Sequence, residues 1–143
     1  MATTAPAAPP AWFRIVALLA VLWNAFGFFQ YLSSVGLFGD PMAAMSEAQR
    51  VAAESIPAAI TGAFAIGTIG GLIGSLGLLL RKSWAFPALL VSLVALLALE
   101  GWIVFLSGAL EAFGGIALPA TITLVAALLA WLAHHARRRG WLG

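Results

Sequence analysis

Four long apolar stretches dominate the hydropathy pattern, at residues 12–33, 56–80, 84–107 and 116–133. The hydrocarbon core of a bilayer is about 30 Å thick, and a helix rising 1.5 Å per residue crosses it in about 20 residues. Each stretch meets or approaches that length and reads as a membrane span. Between the first two, Asp40-Pro41 is a helix-start signature, because Asp accepts from free backbone donors and Pro at the first position gives up no bonded N–H. The residues that follow place Met42, Met45 and Ala52 on one side. Glu47, Arg50 and Glu54 fall on the other, at spacings of three and four. This predicts a short amphipathic helix lying at the membrane surface. The link Arg81-Lys82-Ser83 between spans two and three is too short for anything but an antiparallel hairpin. Pro57, Pro87 and Pro119 each stand near the start of an apolar run, where a missing N–H costs least. The expected fold is all-α: a four-helix transmembrane bundle with a short amphipathic surface helix between spans one and two.

Composition narrows the class further. Of 143 residues, 63% are hydrophobic and 8% charged, against about a quarter charged in an ordinary soluble domain. A soluble enzyme and a disordered chain are both excluded. No broad basic face exists for nucleic acid. With no cysteine there is no disulfide framework and no thiolate metal site. Residues 1–11, rich in Ala, Thr and Pro, are expected to form a disordered tail. The only early charge is Arg14, and the apolar run continues past Phe29 without a clear cleavage site, so the first span is expected to be retained rather than removed as a signal.

The charges then orient the bundle. Four spans bring both termini and the link between spans two and three to one side, which collects Arg14, Arg81, Lys82, Arg137, Arg138 and Arg139. The other side has Arg50 alone among Asp40, Glu47, Glu54 and Glu111. Basic residues near span ends stay in the cytoplasm, so both termini and the basic tail at 134–143 are expected there, in a bacterial inner membrane. Trp12, Trp84, Trp131 and Trp141 gather at the same level as an aromatic belt. Arg137, Arg138 and Arg139 complement the C-terminal dipole of the last helix and meet anionic lipid heads, with Gly140 ending that helix. His134 and His135 are adjacent and point apart on a helix, so they do not chelate one metal.

Glu100 is the one charged residue well inside a span. An ionised acid at mid-bilayer costs about 2.5–3.5 kcal/mol on insertion scales, and no Lys or Arg lies at its depth. It is therefore expected to be neutral or to face water, as a proton or solute site or as a hydrogen-bonding group between helices. Asn24, Gln30 and Tyr31 of span one lie at comparable depth. Asn24, Gly27 and Tyr31 share a stripe suited to packing against a neighbouring helix. In span two, Ala63, Gly67, Gly71 and Ser75 repeat every four residues, and Gly70 with Gly74 adds a second pair of small residues. Such spacing lets backbones approach closely, within the bundle or between protomers. The run from Gly67 to Gly74 is not GxGxxG and follows no strand, so it gives no nucleotide or other cofactor site.

The blocks Leu22-Trp23-Asn24-Ala25-Phe26-Gly27 with Gln30-Tyr31, Glu54-Ser55-Ile56-Pro57, Gly74-Ser75-Leu76, Leu80-Arg81-Lys82-Ser83-Trp84-Ala85 and Ser92-Leu93 carry a resemblance. Over roughly residues 20–95 the chain resembles a family of small bacterial four-span proteins whose members are sometimes labelled sugar transporters. That resemblance implies a transport role as a hypothesis, and Glu100 lies outside the matched blocks.

Two functions follow as expectations. The first is an accessory or structural subunit of a membrane assembly, which needs only packing surfaces. The second is an oligomeric transporter of a small solute, with a path between protomers. Glu100, the His pair and Ser92 do not form a nucleophile and base set, so no enzyme is expected.

Overall fold

The computed structural model describes residues 7–143; part of the tail expected at residues 1–11 lies outside the described residues. Four helices are long and apolar enough to cross a membrane: α1 (Ala11–Ser34), α3 (Ala58–Leu79), α4 (Ala85–Gly101) with the π-helical turn Trp102–Leu106 that prolongs it, and α5 (Ala117–Arg138). The short helix α2 (Glu47–Glu54) lies between α1 and α3, and no strand occurs among the described residues. Large apolar side chains such as Leu22, Phe26, Ile73, Val94, Leu124 and Leu128 face outward along all four long helices. In water that surface would be untenable; in lipid it is the expected exterior.

The surface helix starts later than Asp40-Pro41 suggests. Asp40 caps a local turn instead, accepting from the Met42 N–H at 2.9 Å. The helix opens at Ser46, whose hydroxyl accepts from Gln49 N–H while the Gln49 side chain accepts from Ser46 N–H. Reciprocal bonds of this kind satisfy two free donors at once and override a weaker start signal upstream. Ala52 is buried on one face of α2, and Glu47, Arg50 and Glu54 are exposed on the other.

The packing follows chain order. Helix α1 lies on α3, α3 on α4 and α4 on α5, while α1 and α5 make no comparable contact. The best-packed region sits at the end that holds the N-terminus of α1, the α3–α4 link and the C-terminus of α5. There Phe13, Ala17 and Ala20 of α1 meet Leu78, Ala85, Leu89, Leu132, Ala133 and Ala136. Phe13 is the largest fully buried side chain, and its ring meets Trp141 edge-on with centroids 5.4 Å apart. Trp12, Trp84 and Trp131 are exposed at this same end.

Helix α3 ends in a way the sequence does not announce. Lys82 N–H donates to Gly77 O at 2.8 Å and Arg81 N–H to Leu78 O at 3.1 Å, the two bonds of a Schellman cap. The left-handed position of that cap, usually glycine, is Arg81 with φ 59°. Left-handed backbone costs a side-chain-bearing residue roughly 1–2 kcal/mol. Arg81 offsets that by tying three segments together. Its Nε donates to Trp141 O at 3.1 Å and its guanidinium to Ala7 O at 2.9 Å. Its own carbonyl accepts from Gly143 N–H at 2.8 Å, and Ser83 N–H donates to Gly143 O at 3.0 Å. Arg81→Gly removes the strain with the side-chain bonds, whereas Arg81→Ala removes those bonds and keeps the strain. Thermal unfolding in detergent should therefore rank wild type above Arg81→Gly, and Arg81→Gly above Arg81→Ala by about 1 kcal/mol. Equal stability of the two variants would contradict the left-handed cap.

Candidate functional site

The glycines of α3 determine where polar groups meet. Gly70, Gly74 and Gly77 line the contact with α4 so closely that a methyl at Gly74 would lie 2.5 Å from Leu89 Cγ and 3.0 Å from its backbone N. A methyl at Gly77 would strike Trp84 and Ala85, and one at Gly67 would strike Leu96. Gly71 sits one step around the helix, where α1, α3 and α4 converge, and a methyl there would run into the Asn24 amide and lie 3.2 Å from Ser92 Oγ. Ser75, also buried, donates to Leu72 O within its own helix.

The stripe on α1 lies against α3. Asn24 stands at Gly71, Gly27 is near Thr68 Cγ2, and the Tyr31 ring meets Phe64 edge-on at 5.5 Å. The polar groups at this junction are mostly spent locally. Asn24 Nδ2 donates to Ala20 O at 2.8 Å, and Thr68 Oγ1 donates to Phe64 O at 3.0 Å. Ser92 Oγ reaches across the helix contact and donates to Gly67 O at 2.6 Å. A bond to a carbonyl already in the helical ladder fastens α4 to α3 at a fixed register. Ser92 gave no sequence signal for this role beyond its place in the resemblance, because the bond depends on how two helices align.

A cavity of about 20 Å³ lies beside the junction, between Trp23 and Asn24 of α1, Ser92 and Leu96 of α4, and Val125 and Leu129 of α5. That volume admits about one water, which the second Asn24 amide hydrogen and the Ser92 lone pairs could hold. It does not admit a sugar.

Glu100 stands apart from this group. It lies two turns beyond Ser92 on α4, with 6% of its surface exposed, and no hydrogen bond or ion pair joins it to Asn24, Gln30, Tyr31 or any other described residue. Gln30 is exposed, and Tyr31 packs by its ring against Phe28 and Phe64. One residue further, Gly101 has open space where a side chain would stand. Immediately after it the helix widens into the π turn, closed by Ser107 N–H donating to Trp102 O at 2.8 Å. Over that end of the bundle, α2 meets the 3-10 turn Glu111–Phe113, and Gln49 Nε2 donates to Ala112 O at 3.1 Å.

At the opposite end, the rings of His134 and Phe86 are 5.4 Å apart, and the Arg137 guanidinium lies 4.9 Å over the same Phe86 ring. His135 stacks on Trp131 at 5.4 Å. The adjacent histidines thus point into separate aromatic contacts, and Arg138 and Arg139 are exposed beyond them.

These features define a class: a small helical membrane protein whose spans are joined by close glycine contacts and a few polar bonds. No family model matches the chain, and no curated protein or solved structure matches it either.

Proposed function

We propose that the protein is an accessory or structural subunit of a membrane assembly, seated in a bacterial inner membrane with both termini in the cytoplasm. One observation carries this reading. The polar side chains at the helix junction, Asn24, Thr68, Ser75 and Ser92, are committed to backbone carbonyls, and the cavity beside them is only about 20 Å³. A bundle so arranged is built to keep a shape for a partner, whether a second copy or another subunit. The orientation rests on the six basic residues at the terminal end. Tags at either end should resist external protease in intact spheroplasts and become accessible on lysis; cleavage in sealed spheroplasts would reverse the orientation.

A second reading is favoured by Glu100 alone. A buried carboxyl without a partner fits an oligomeric transporter of a small solute, with the solute path between protomers. Reconstitution into liposomes decides between the two. The accessory reading expects uptake of labelled monosaccharides at the rate of protein-free vesicles, with or without a pH gradient. Uptake at least tenfold above that rate, and lost in Glu100→Gln, would establish the transporter instead.

A further inference from the structure

The three arginines that close α5 share a charge and differ in how they are held. Arg138 and Arg139 are exposed. Arg137 is fixed in place, because its guanidinium lies 4.9 Å over the Phe86 ring of α4. His134, one turn earlier on α5, meets the same ring at 5.4 Å. A guanidinium resting on an aromatic ring engages it through its flat face, so the N–H groups at its edge stay available. Arg137 makes no hydrogen bond or ion pair with any described residue, which leaves all five of those donors unspent. No carboxylate stands at this end to claim them: Asp40, Glu47, Glu54 and Glu111 lie in the connections at the opposite end, and Glu100 lies in the last turn of α4, at its far end. A planar fork of free donors matches the oxygens of a phosphate, which it binds through two bonds at once. Because the ring already holds the fork, little freedom is lost on binding.

The surface below Arg137 indicates what carries that phosphate. Leu124, Leu128 and Trp131 form an outward line on α5, each more than half exposed, at spacings that keep them on one face. The line leads to Arg138, seven residues after Trp131, with Arg137 beside it on the side of α4. On α4, Leu90 is exposed one turn below Phe86. Trp131, whose ring stacks on His135, stands where the apolar surface gives way to the basic one, the usual level of interfacial tryptophans. An apolar column, an interfacial ring and a pair of cations repeat the order of acyl chain, glycerol and phosphate within one leaflet. Inorganic phosphate would match only the last of these.

We propose that this end of the bundle seats an anionic phospholipid between α4 and α5, with its phosphate on Arg137 and Arg138 and its chains along Leu90, Leu124 and Leu128. Phe86 is the positioning residue. Net charge alone would draw anionic lipid to every side of this end, whereas the ring under Arg137 makes one place of it.

Electron spin resonance with spin-labelled lipids tests the seat on the full-length protein in phosphatidylcholine vesicles. Labelled phosphatidylglycerol should associate about fivefold more strongly than labelled phosphatidylcholine. Arg137→Gln, a change at an exposed side chain, should bring that preference below about twofold, and Phe86→Leu should do the same without removing a charge. Arg139→Gln removes the same charge as Arg137→Gln and should leave most of the preference. A wild type without preference would overturn the lipid seat. Equal effects of Arg137→Gln and Arg139→Gln, or an unchanged preference in Phe86→Leu, would show attraction by net charge alone and overturn it as well. Loss of the preference in inorganic phosphate, at an ionic strength where chloride leaves it intact, would assign the site to the free anion instead. These readouts involve neither a solute nor a partner subunit, so they can fail while the accessory reading stands, and the reverse.

Discussion

Gly74→Leu is expected to abolish the folded protein, and Gly71→Leu to do nearly the same, while Gly62→Leu is tolerated. The difference follows from what each position faces. At Gly74 even a single added carbon would lie 3.0 Å from the backbone N of Leu89, and backbone cannot turn aside as a flexible side chain can. A full leucine must push α3 and α4 apart along their whole contact, which exceeds the roughly 1–3 kcal/mol of an ordinary overpacked core. Separation would also break the Ser92 to Gly67 bond and strip dispersion contacts that mobile lipid does not restore at one place. At Gly71 the added side chain displaces the Asn24 amide and detaches α1. At Gly62 no atom lies within 4 Å of the position a side chain would take. Monodisperse yield from detergent gel filtration reads the outcome. Normal yield for Gly74→Leu would mean that α3 and α4 do not pack in this register.

Phe13→Ala should give the largest loss among variants that still fold. Its ring is 1% exposed and joins α1 to Leu132, Ala133 and Trp141 at the one end where α1 meets the α5 side of the bundle. Truncating a fully buried Phe costs about 3–5 kcal/mol where the hole cannot collapse. Here the surrounding alanines are too short to fill it. A drop in melting temperature of about 10 °C is expected at 2–4 °C per kcal/mol. Ile15→Ala, one of the outward-facing changes on the same helix, should shift it far less. Equal shifts would show that Phe13 also meets lipid.

The spans were legible because length and apolarity alone decide whether a helix can cross a bilayer. The surface helix was legible as an element, but its start was not: Asp40 and Ser46 are both good caps, and only the Gln49 reciprocal bond distinguishes the true one. Helix α5 continues beyond the apolar stretch to Arg138, since hydropathy marks only the apolar part of a helix and His135, Arg137 and Arg138 suit its C-terminal turn. Arg81 was legible as a charge near a span end and hidden as a cap, because the left-handed position it takes is normally signalled by glycine. The seat of Ser92 on Gly67, and of Asn24 beside Gly71, depends on the relative heights of three helices. Periodicity within one helix carries no information about that. Glu100 drew notice by its chemistry alone, and its lack of a partner emerged only once the neighbouring helices were in place.

The slight contact between α1 and α5, confined largely to the Phe13 end, bears on how the chain is made. As α1 leaves the translocation machinery, its docking surface on α3 has not yet been synthesised, and it must wait in lipid carrying an amide. Asn24 donates to Ala20 O in its own helix, so one of its two amide hydrogens is already satisfied without any neighbour. Helix α5 emerges after α4, packs mainly on it, and meets α1 chiefly around Phe13, Ala17 and Ala20. The two flanking helices are thus added to opposite sides of a central hairpin in an order that needs no rearrangement. A chain cut between α1 and α3, with the two pieces expressed separately, should for the same reason reassemble in the membrane.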